Sequence, residues 1–323
     1  LGELALDGRI RPIKGALPIA VSLKNSNKKL ILPEENAHEA SVIDGIEIYP
    51  AGTLDDVCNF LNGLPTLSRL NINTISEIPT ENKDSYELNF SDVKGQQYAK
   101  RAMEIAATGS HNLIMIGSPG SGKTMLAKRL PTILPEMALE ESIETTKIYS
   151  VCGLVPSKAT LIKTRPFRAP HHTSSDVALV GGGTVPKPGE VSLAHNGILF
   201  MDVLPVFHRN VLECLRQPLE DGYVTVSRAN STVIFPSKFM LVCAMNPCPC
   251  GFLTDPKKEC HCNPLSIQKY LSKISGPLLD RIDIHIEVPP VRYKELSDET
   301  PAEKSEDIKQ RVRNARKIQL ERF

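Results

Sequence analysis

The chain has 323 residues, which corresponds to about two domains. Basic residues exceed acidic ones by one formal charge and 41% of the residues are hydrophobic. The hydrophobic fraction predicts packed cores, and the near-neutral charge excludes a strongly basic protein surface. A local basic stripe, or a ring of subunits, could still bind DNA. No apolar run approaches the roughly 18–20 residues of a membrane span. Aromatic residues are only 5% of the chain, which disfavours an aromatic platform for single-stranded nucleic acid.

The first residues of the sequence do not have the pattern of a secretory signal. No charged-then-apolar stretch opens the sequence, so we expect a reducing, cytoplasmic compartment in which the eight cysteines do not form a disulfide framework. The sequence begins at Leu1, inside a predicted strand, and stops at Phe323, inside a predicted helix. We therefore expect a fragment of a longer protein.

Residues 1–63 have the pattern of a small α/β unit. Asp7-Gly8 lies between two short apolar runs, which predicts a hairpin. Residues 64–90 are polar, contain two prolines and predict a linker. The other elements predicted in this part are strands at residues 30–32 and 46–49, and helices at residues 16–23, from 33 onward and from 53 to 61.

Residues 91–290 alternate short apolar strands with helical stretches. This alternation predicts an α/β fold in three layers, with a parallel sheet covered by helices on both faces. Residues 291–323 contain a helix rich in Lys and Arg and predict the start of a helical lid. The strands predicted in the central region are Asn112–Ile116, Ile198–Met201, Met240–Ala244 and Ile284–Val288.

A phosphate-binding loop is the strongest signal in the chain. Residues 117–124 match GxxxxGK[ST] at every fixed position, between a predicted strand and a predicted helix. Glycines allow backbone N–H groups to face phosphates, Lys can neutralise their charge, and the Thr hydroxyl can bind Mg²⁺. We therefore predict ATP and Mg²⁺ as ligands. The candidate binding residues are Gly117, Ser118, Pro119, Gly120, Ser121, Gly122, Lys123 and Thr124.

Three further polar residues follow or precede predicted strands. Asp202 directly follows Ile198–Met201, where an acid can hold the water shell of Mg²⁺. Asn246 follows the next strand and either reaches the γ-phosphate or is a turn residue before Pro247. Arg281 precedes the last strand and either projects toward the nucleotide of a neighbouring subunit or forms a surface ion pair with Asp280 or Asp283.

Four cysteines are crowded into fifteen residues. Cys248 and Cys250 are followed, after nine residues, by Cys260 and Cys262. Four thiolates suit tetrahedral Zn²⁺, although this spacing is tighter than that of the usual CxxC knuckle. The pattern predicts a structural zinc that braces the loop after Asn246 without taking part in catalysis. A redox-sensitive cluster and uncoordinated thiols remain alternatives.

Five segments together resemble the YifB/ComM family of AAA+ proteins, which are related to the magnesium chelatase ATPase subunit. The resemblance covers nearly the whole chain, and residues 1–63 are similar to the C-terminal part of the family's Lon-protease-like (ribosomal S5-like) domain. It implies an AAA+ core over residues 91–290 and a hexameric, ATP-driven DNA motor of the helicase or branch-migration type. The five segments are residues 117–124, 165–173, 189–197, 212–222 and 245–251.

The resemblance also implies roles for individual residues. Lys187 lies in a segment similar to the helix-2 insertion, and Arg228 lies in one similar to the pre-sensor-1 hairpin. Both would face the pore of a ring and contact DNA, or they are solvated loop charges. The remaining implied roles are Lys123 and Thr124 as the Walker A pair, Thr124 and Asp202 as Mg²⁺ ligands, Asn246 as sensor 1, Arg281 as the arginine finger and Val93 as a wall near the adenine. The segment from Asp92 to Gln96 could equally be only the capped start of a helix.

The sequence departs from the family pattern at two positions after Asp202. Val203 and Val206 stand where the family has glutamates, and the first of these is the expected catalytic base. A positioned base contributes about 10²–10⁴ in rate, so we expect the chain to bind ATP and to hydrolyse it poorly. The alternatives are a non-hydrolysing, nucleotide-gated scaffold and an ATPase subunit of metal-chelatase type. A peptidase is disfavoured because Leu17 occupies the position of the catalytic Lys in Lon-like domains.

Overall fold

The strands predicted between residues 112 and 288 lie in one parallel sheet of five strands. In this computed structural model the described residues are 1–24, 26–70, 88–155, 161–228, 231–291 and 302–322. Their contacts define two units, Leu1–Asp84 with Ala138–Lys163, and Ser85–Met137 with Thr164–Phe323. Most of the predicted linker and the first residues of the predicted lid lie outside the described ranges, and the domain boundaries stay predictions.

The first unit contains the elements predicted near the N-terminus. Strands β1 (Glu3–Leu4) and β2 (Ile10–Arg11) form the antiparallel hairpin around Asp7-Gly8. A parallel pair, β3 (Lys29–Pro33) and β4 (Glu47–Ala51), is connected through a helix. The Thr53 hydroxyl accepts a hydrogen bond from the Asp56 N–H and caps the third helix, as predicted. The helices are α1 (Ala16–Leu23), α2 (Glu34–Ala40), α3 (Leu54–Leu61) and α6 (Leu139–Cys152).

The second unit is built on the parallel sheet, whose strand order is β13-β5-β12-β9-β6. Four of these strands were predicted from the sequence, and their observed ends agree with the predicted ends to within one residue. The fifth, β6, was not predicted because it has only two residues and one of them is Arg168. The strands are β5 (Leu113–Ile116), β6 (Phe167–Arg168), β9 (Ile198–Met201), β12 (Met240–Met245) and β13 (Ile284–Glu287).

Helices cover both faces of this sheet, as the apolar character of its strands requires. Along β9, Ile198 and Phe200 enter the core on one face, whereas Leu199 and Met201 enter the core on the other. The alternation follows from the two-residue period of a strand. The helices of this unit are α4 (Gln97–Gly109), α5 (Lys123–Arg129), α7 (Asp176–Val180), α8 (Glu190–Leu193), α9 (Arg209–Glu213), α10 (Arg216–Asp221), α11 (Pro264–Leu271), α12 (Gly276–Leu279) and α13 (Ser305–Leu320).

Two antiparallel hairpins extend this unit. One consists of β7 (Gly181–Gly182) and β8 (Lys187–Pro188), and the other of β10 (Tyr223–Arg228) and β11 (Ser231–Pro236). They lie in the two segments that resemble the helix-2 insertion and the pre-sensor-1 hairpin of the family. Across the described residues, no helix combines the length and the apolar character needed to cross a bilayer.

Asn112 connects three strands at the edge of the sheet where they begin. Its side-chain oxygen accepts from the N–H of Leu241 at 2.8 Å, and its amide donates to the carbonyl of Arg281 at 2.7 Å. These partners belong to β12 and to the turn before β13, which flank β5 on either side. The half-buried Asn112 side chain therefore holds the three strands in register.

We expect Asn112→Ala to lower the free energy of unfolding by about 2 kcal/mol, because it leaves a backbone donor and an acceptor without partners. Denaturant unfolding followed by circular dichroism measures this loss. The control is Asn314→Ala on the exposed face of α13, which should change the value by less than about 0.5 kcal/mol. Equal effects of the two substitutions would contradict the role of Asn112.

Candidate nucleotide-binding site

The predicted phosphate-binding loop and the predicted acid meet at the carboxyl edge of the parallel sheet. The loop begins at the end of β5, where the N–H of Gly117 donates to the carbonyl of Met245, the last residue of β12. Asp202 follows β9 on the other side of β12. The hydroxyl of Thr124 donates to Oδ2 of Asp202 at 3.0 Å. This pair of oxygens is the arrangement that can hold Mg²⁺ beside a nucleotide.

The loop has the backbone conformation that its glycines permit. Gly120 and Gly122 have φ angles of 79° and 93°, in the left-handed region where a side chain is strained. The ammonium group of Lys123 donates to the carbonyls of Gly117 and Ser118 at 2.8 and 2.9 Å. Burial lowers the pKa of Lys123, and the negative charge of Asp202 opposes that shift. The Lys side chain is thus folded over the loop at the position where phosphates would bind.

Val203 occupies the residue after Asp202 in a strained backbone conformation. Its φ and ψ angles are 52° and 58°, and this is the left-handed region that a β-branched residue rarely adopts. The turn is needed because the chain leaves β9 and immediately starts a short helical turn, in which the N–H of Val206 donates to the carbonyl of Val203. From 203 to 207 no side chain carries a carboxylate, so this turn lacks a proton acceptor.

Asn246 lies at the same edge of the sheet, directly after β12, and is half buried. A Cβ atom on Gly251 would be 3.5 Å from Cγ of Asn246, so the loop that contains the cysteines passes beside this amide. The strand order places β12 between β5 and β9, and Asn246 therefore follows the strand between those that carry the loop and the acid. Its role as a sensor stays a prediction.

Arg281 lies at the opposite edge of the sheet. Its carbonyl accepts from Asn112, which precedes β5, whereas the phosphate-binding loop follows β5. Five residues of extended chain separate these points by roughly 15 Å. The Arg281 guanidinium pairs with Glu220 on α10, and neither predicted partner, Asp280 or Asp283, forms this ion pair. Within its own chain, Arg281 is therefore not part of the nucleotide site.

A cleft of about 370 Å³ lies next to the loop, at a place the sequence did not indicate. It is lined by Gln96, Tyr98, Ala99, Glu287 and Pro289. The side-chain amide of Gln96 donates to the carbonyls of Ser121 and Pro289, both at 2.9 Å, and thereby connects the loop to the cleft. The exposed ring of Tyr98 could pack against a nucleotide base. The sequence pointed to this cleft only indirectly, because Gln96 stands at the start of a helix near Val93.

Val93, the predicted wall near the adenine, is fully buried in the core. Its carbonyl accepts from the ammonium of Lys100 at 2.6 Å, and burial lowers the pKa of that Lys. Val93 does not line the cleft beside Gln96. Its contact with a nucleotide stays a prediction, and Gln96 and Lys100 are the polar residues that the structure adds to this region.

The four cysteines are brought together as a single cluster. Their sulfur atoms all lie within 4.8 Å of one another, and all four are free thiols. The Cys248 and Cys250 sulfurs are 3.3 Å apart, and that of Cys260 is 3.7 and 3.6 Å from them. The backbone N–H of Phe252, together with the neighbouring thiols, lowers the pKa of Cys250 to about 6. Partial burial and proximity to Cys250 raise the pKa of Cys260 to about 12 and also raise the pKa of Cys262, so the cluster favours one thiolate, at Cys250.

The two predicted DNA contacts lie on the two hairpins. Lys187 is exposed on β8, next to the turn of the first hairpin. Arg228 is the last residue of β10 and pairs with Ser231 of β11, and its side chain lies outside the described part of the structure. Contact of either residue with DNA stays a prediction.

The loop after β5, the acid after β9 and the polar residue after β12 have the arrangement of a P-loop nucleotide-binding protein. A family model described as magnesium chelatase, subunit ChlI, matches residues 89–296, and a model of subunit ChlI of Mg-chelatase matches residues 1–36. The chain belongs to the magnesium chelatase ChlI-subunit family. The first match includes the phosphate-binding loop, Asp202, Asn246 and all four clustered cysteines.

Comparison with individual proteins confirms the resemblance to the YifB/ComM family. The chain is 46% identical to competence protein ComM of Haemophilus influenzae and 42% identical to the uncharacterised protein YifB of Escherichia coli K12. Both alignments cover the whole of this chain and, respectively, 63% and 62% of those proteins. The chain therefore spans less than two thirds of the length of these relatives.

Among solved structures, the chain is similar to the complex between subunits BchI and BchD of magnesium chelatase, based on a cryo-EM reconstruction. It matches 71% of this chain and 74% of its own, with 21% identity and a TM-score of 0.43. The sheet order and the motifs above, rather than this match, support the fold described here.

We expect Val203→Asn to raise the free energy of unfolding by about 1 kcal/mol, because Asn tolerates the left-handed conformation that strains Val. Val206→Asn is the matched control, since it makes the same chemical change three residues later in an ordinary helical turn. It should alter stability by less than about 0.5 kcal/mol. Denaturant titration of both variants tests this, and a Val203→Asn variant that is less stable than the control would show that the turn is unstrained.

Proposed function

We propose that the chain is the ATP-binding part of a ring-forming DNA motor of the helicase or branch-migration type, in which Val203 weakens hydrolysis. The observation that carries the proposal has two parts. The hydroxyl of Thr124 in the phosphate-binding loop lies 3.0 Å from the carboxylate of Asp202, and the residue after Asp202 is Val203, which has no carboxylate. The first half of this observation supports binding of Mg²⁺ and ATP. The second half supports slow turnover.

The residues around the loop divide the tasks of nucleotide binding. Backbone N–H groups of Ser118 and of residues 120–124 would surround the phosphates, and Thr124 and Asp202 would hold Mg²⁺ and its water shell. Phosphate oxygens would compete with the loop carbonyls for the ammonium of Lys123, which is already aimed at the loop. Asn246 follows β12, the strand between β5 and β9, and would orient the γ-phosphate or the attacking water.

Assembly into a homo-oligomer would supply what one chain lacks. Arg281 lies at the edge of the sheet opposite to its own loop, so it can serve only the nucleotide of a neighbouring subunit. An arginine supplied in trans stabilises the charge of the transition state. A hexameric ring would also repeat Lys187 and Arg228 around a pore, and this would create a basic surface although each chain has a formal charge of only +1.

A zinc ion at the four cysteines completes the proposal. Four thiolates at these separations suit Zn²⁺ in a closed, structural site, and all eight cysteines are free thiols. Free thiols fit a reducing, cytoplasmic compartment. With four protein ligands, the ion would hold the loop after Asn246 and would take no part in hydrolysis.

A non-hydrolysing, nucleotide-gated scaffold is the second candidate function, and Val203 is the observation that favours it. A scaffold would use the same loop to bind ATP and would need no base after Asp202. Whether a restored carboxylate produces turnover therefore separates the two functions.

We expect Val203→Glu, in the full-length protein, to raise the rate of steady-state ATP hydrolysis by about 10²–10⁴ over the Val203 form, and branched DNA to accelerate it further. Val203→Gln is the matched control, because it has the same shape without a proton acceptor, and it should stay as slow as the Val203 form. If all three forms bind ATP and none turns over, the motor is excluded and the scaffold replaces it.

We expect Lys187→Ala with Arg228→Ala to weaken DNA binding and to flatten its salt dependence. On duplex DNA, the slope of log K against log salt should fall by about 0.9 for each phosphate that the variant no longer neutralises. Fluorescence anisotropy with labelled DNA at several salt concentrations measures both quantities. The charge-matched control is Lys24→Ala with Lys28→Ala in the first unit. An unchanged affinity and slope in the hairpin variant would remove these residues from the DNA interface.

A further inference from the structure

The loop that carries the four cysteines also supports the phosphate-binding loop. Gly251 lies between the two pairs of cysteines, and a Cβ atom placed on it would be 2.6 and 2.7 Å from two ring carbons of Pro119. Such distances leave no room for even a methyl group, so the backbone of Gly251 packs directly against the phosphate-binding loop. The Asp255 carboxylate, farther along the same segment, lies close to Ser118.

The contact with Pro119 is tied to the sulfur cluster through hydrogen bonds. The N–H of Gly251 donates to the sulfur of Cys248 at 3.2 Å and also to its carbonyl at 3.0 Å. The N–H of Cys250 donates to the sulfur of Cys262 at 3.4 Å. Hydrogen bonds of this kind strengthen when the sulfur is a thiolate. Gly251 is therefore hydrogen-bonded to the same sulfur cluster that would hold the metal.

The segment between β12 and α11 has little else to hold its shape. From Asn246 to Asn263 the structure contains neither helix nor strand. A structureless loop of this length is uncommon inside a folded domain, and closing it costs conformational entropy. Four sulfur ligands on one ion would close it. In a tetrahedral zinc site with Zn–S bonds of about 2.3 Å, the sulfurs are ~3.8 Å apart, close to the separations of 3.3, 3.6 and 3.7 Å found here.

We propose that zinc at Cys248, Cys250, Cys260 and Cys262 sets the nucleotide affinity of the chain, because the zinc-closed loop presses Gly251 against Pro119 and holds the phosphate-binding loop in its binding shape. The inference rests on the proposed binding of zinc and nucleotide, and adds an energetic coupling between the two sites. Loss of the metal would free the segment and leave the phosphate-binding loop with more conformations, only a fraction of which bind phosphate.

Thermodynamic linkage makes this coupling measurable from both sites. If zinc strengthens nucleotide binding by a given factor, nucleotide must strengthen zinc binding by the same factor. Coupling between sites is typically about 5- to 150-fold. Coupling through global unfolding would obey the same reciprocity, so the folded fraction is measured by circular dichroism under each condition, and only affinities of fully folded protein are compared.

The experiment uses the full-length protein with fluorescent mant-ADP and excess Mg²⁺. Affinity is measured for the zinc-loaded protein and for protein stripped by a chelator that is then removed, with metal content determined by mass spectrometry. We expect stripping to weaken mant-ADP binding by about 5-fold or more. Zinc affinity, measured by competition with a chelator of known affinity, should rise by the same factor when ADP is present.

Variants separate the coupling from the two binding events. Pro119→Ala removes the ring that Gly251 contacts and retains all four cysteines, so the mant-ADP affinity of this variant should no longer respond to zinc. Cys260→Ser with Cys262→Ser should reproduce the stripped protein, whereas Cys58→Ser, at an exposed thiol in the first unit, should behave as wild type.

Three results would overturn the inference, and they are distinguishable. If about one zinc is bound per chain and mant-ADP affinity is the same within twofold after stripping, the coupling is wrong while both binding sites stand. If no zinc is retained at the cysteines, the inference fails together with the proposed metal. If no form binds mant-ADP, the proposed nucleotide function itself fails.

Discussion

The parallel register of β9, β12 and β5 is the constraint on which the candidate site depends. Met201 pairs with Cys243 on one side of β12, and Ile116 pairs with Met245 on the other. Because the three strands run in the same direction, the residues that follow them emerge at one edge. The loop after β5, Asp202 and Asn246 span more than 120 residues of sequence, and this register brings their chain segments together. Asn112 holds two of these strands, β5 and β12, at the opposite edge, together with the turn before β13.

The two edges of the sheet have different tasks. The carboxyl edge carries the groups that can act on a bound nucleotide, and the other edge carries Arg281, paired with Glu220 on the surface of its own chain. One subunit thus presents both a site and a residue that cannot reach that site. This separation is the physical reason for proposing a ring, since adjacent subunits would bring the two edges together.

Val203 and the cysteine loop lie at the same edge of the sheet, and their backbones are held in different ways. The turn after β9 places residue 203 in the left-handed conformation, which a β-branched Val adopts only with strain. The backbone of the site therefore keeps this turn at an energetic cost, although Val203 provides no carboxylate. The cysteine loop has no helix or strand. Its backbone is instead connected through hydrogen bonds from N–H groups to the sulfur atoms. Both segments follow strand ends at the carboxyl edge, where the phosphate-binding loop also begins, and Gly251 of the cysteine loop packs against Pro119.

The sequence by itself determined the parallel α/β fold, four of the five central strands, the phosphate-binding loop and the acid that contacts it. These features are local: a strand is indicated by a short apolar run, and the loop by glycines, Lys and Thr at fixed spacing. Only the tertiary structure decided that Arg281 pairs with Glu220, that Gln96 and Tyr98 line a cleft beside the loop, that Val93 is buried away from that cleft, and that Gly251 packs against Pro119. Each of these contacts joins residues distant in sequence. No local pattern encodes them, because they arise from the packing of side chains and loops once the sheet has formed.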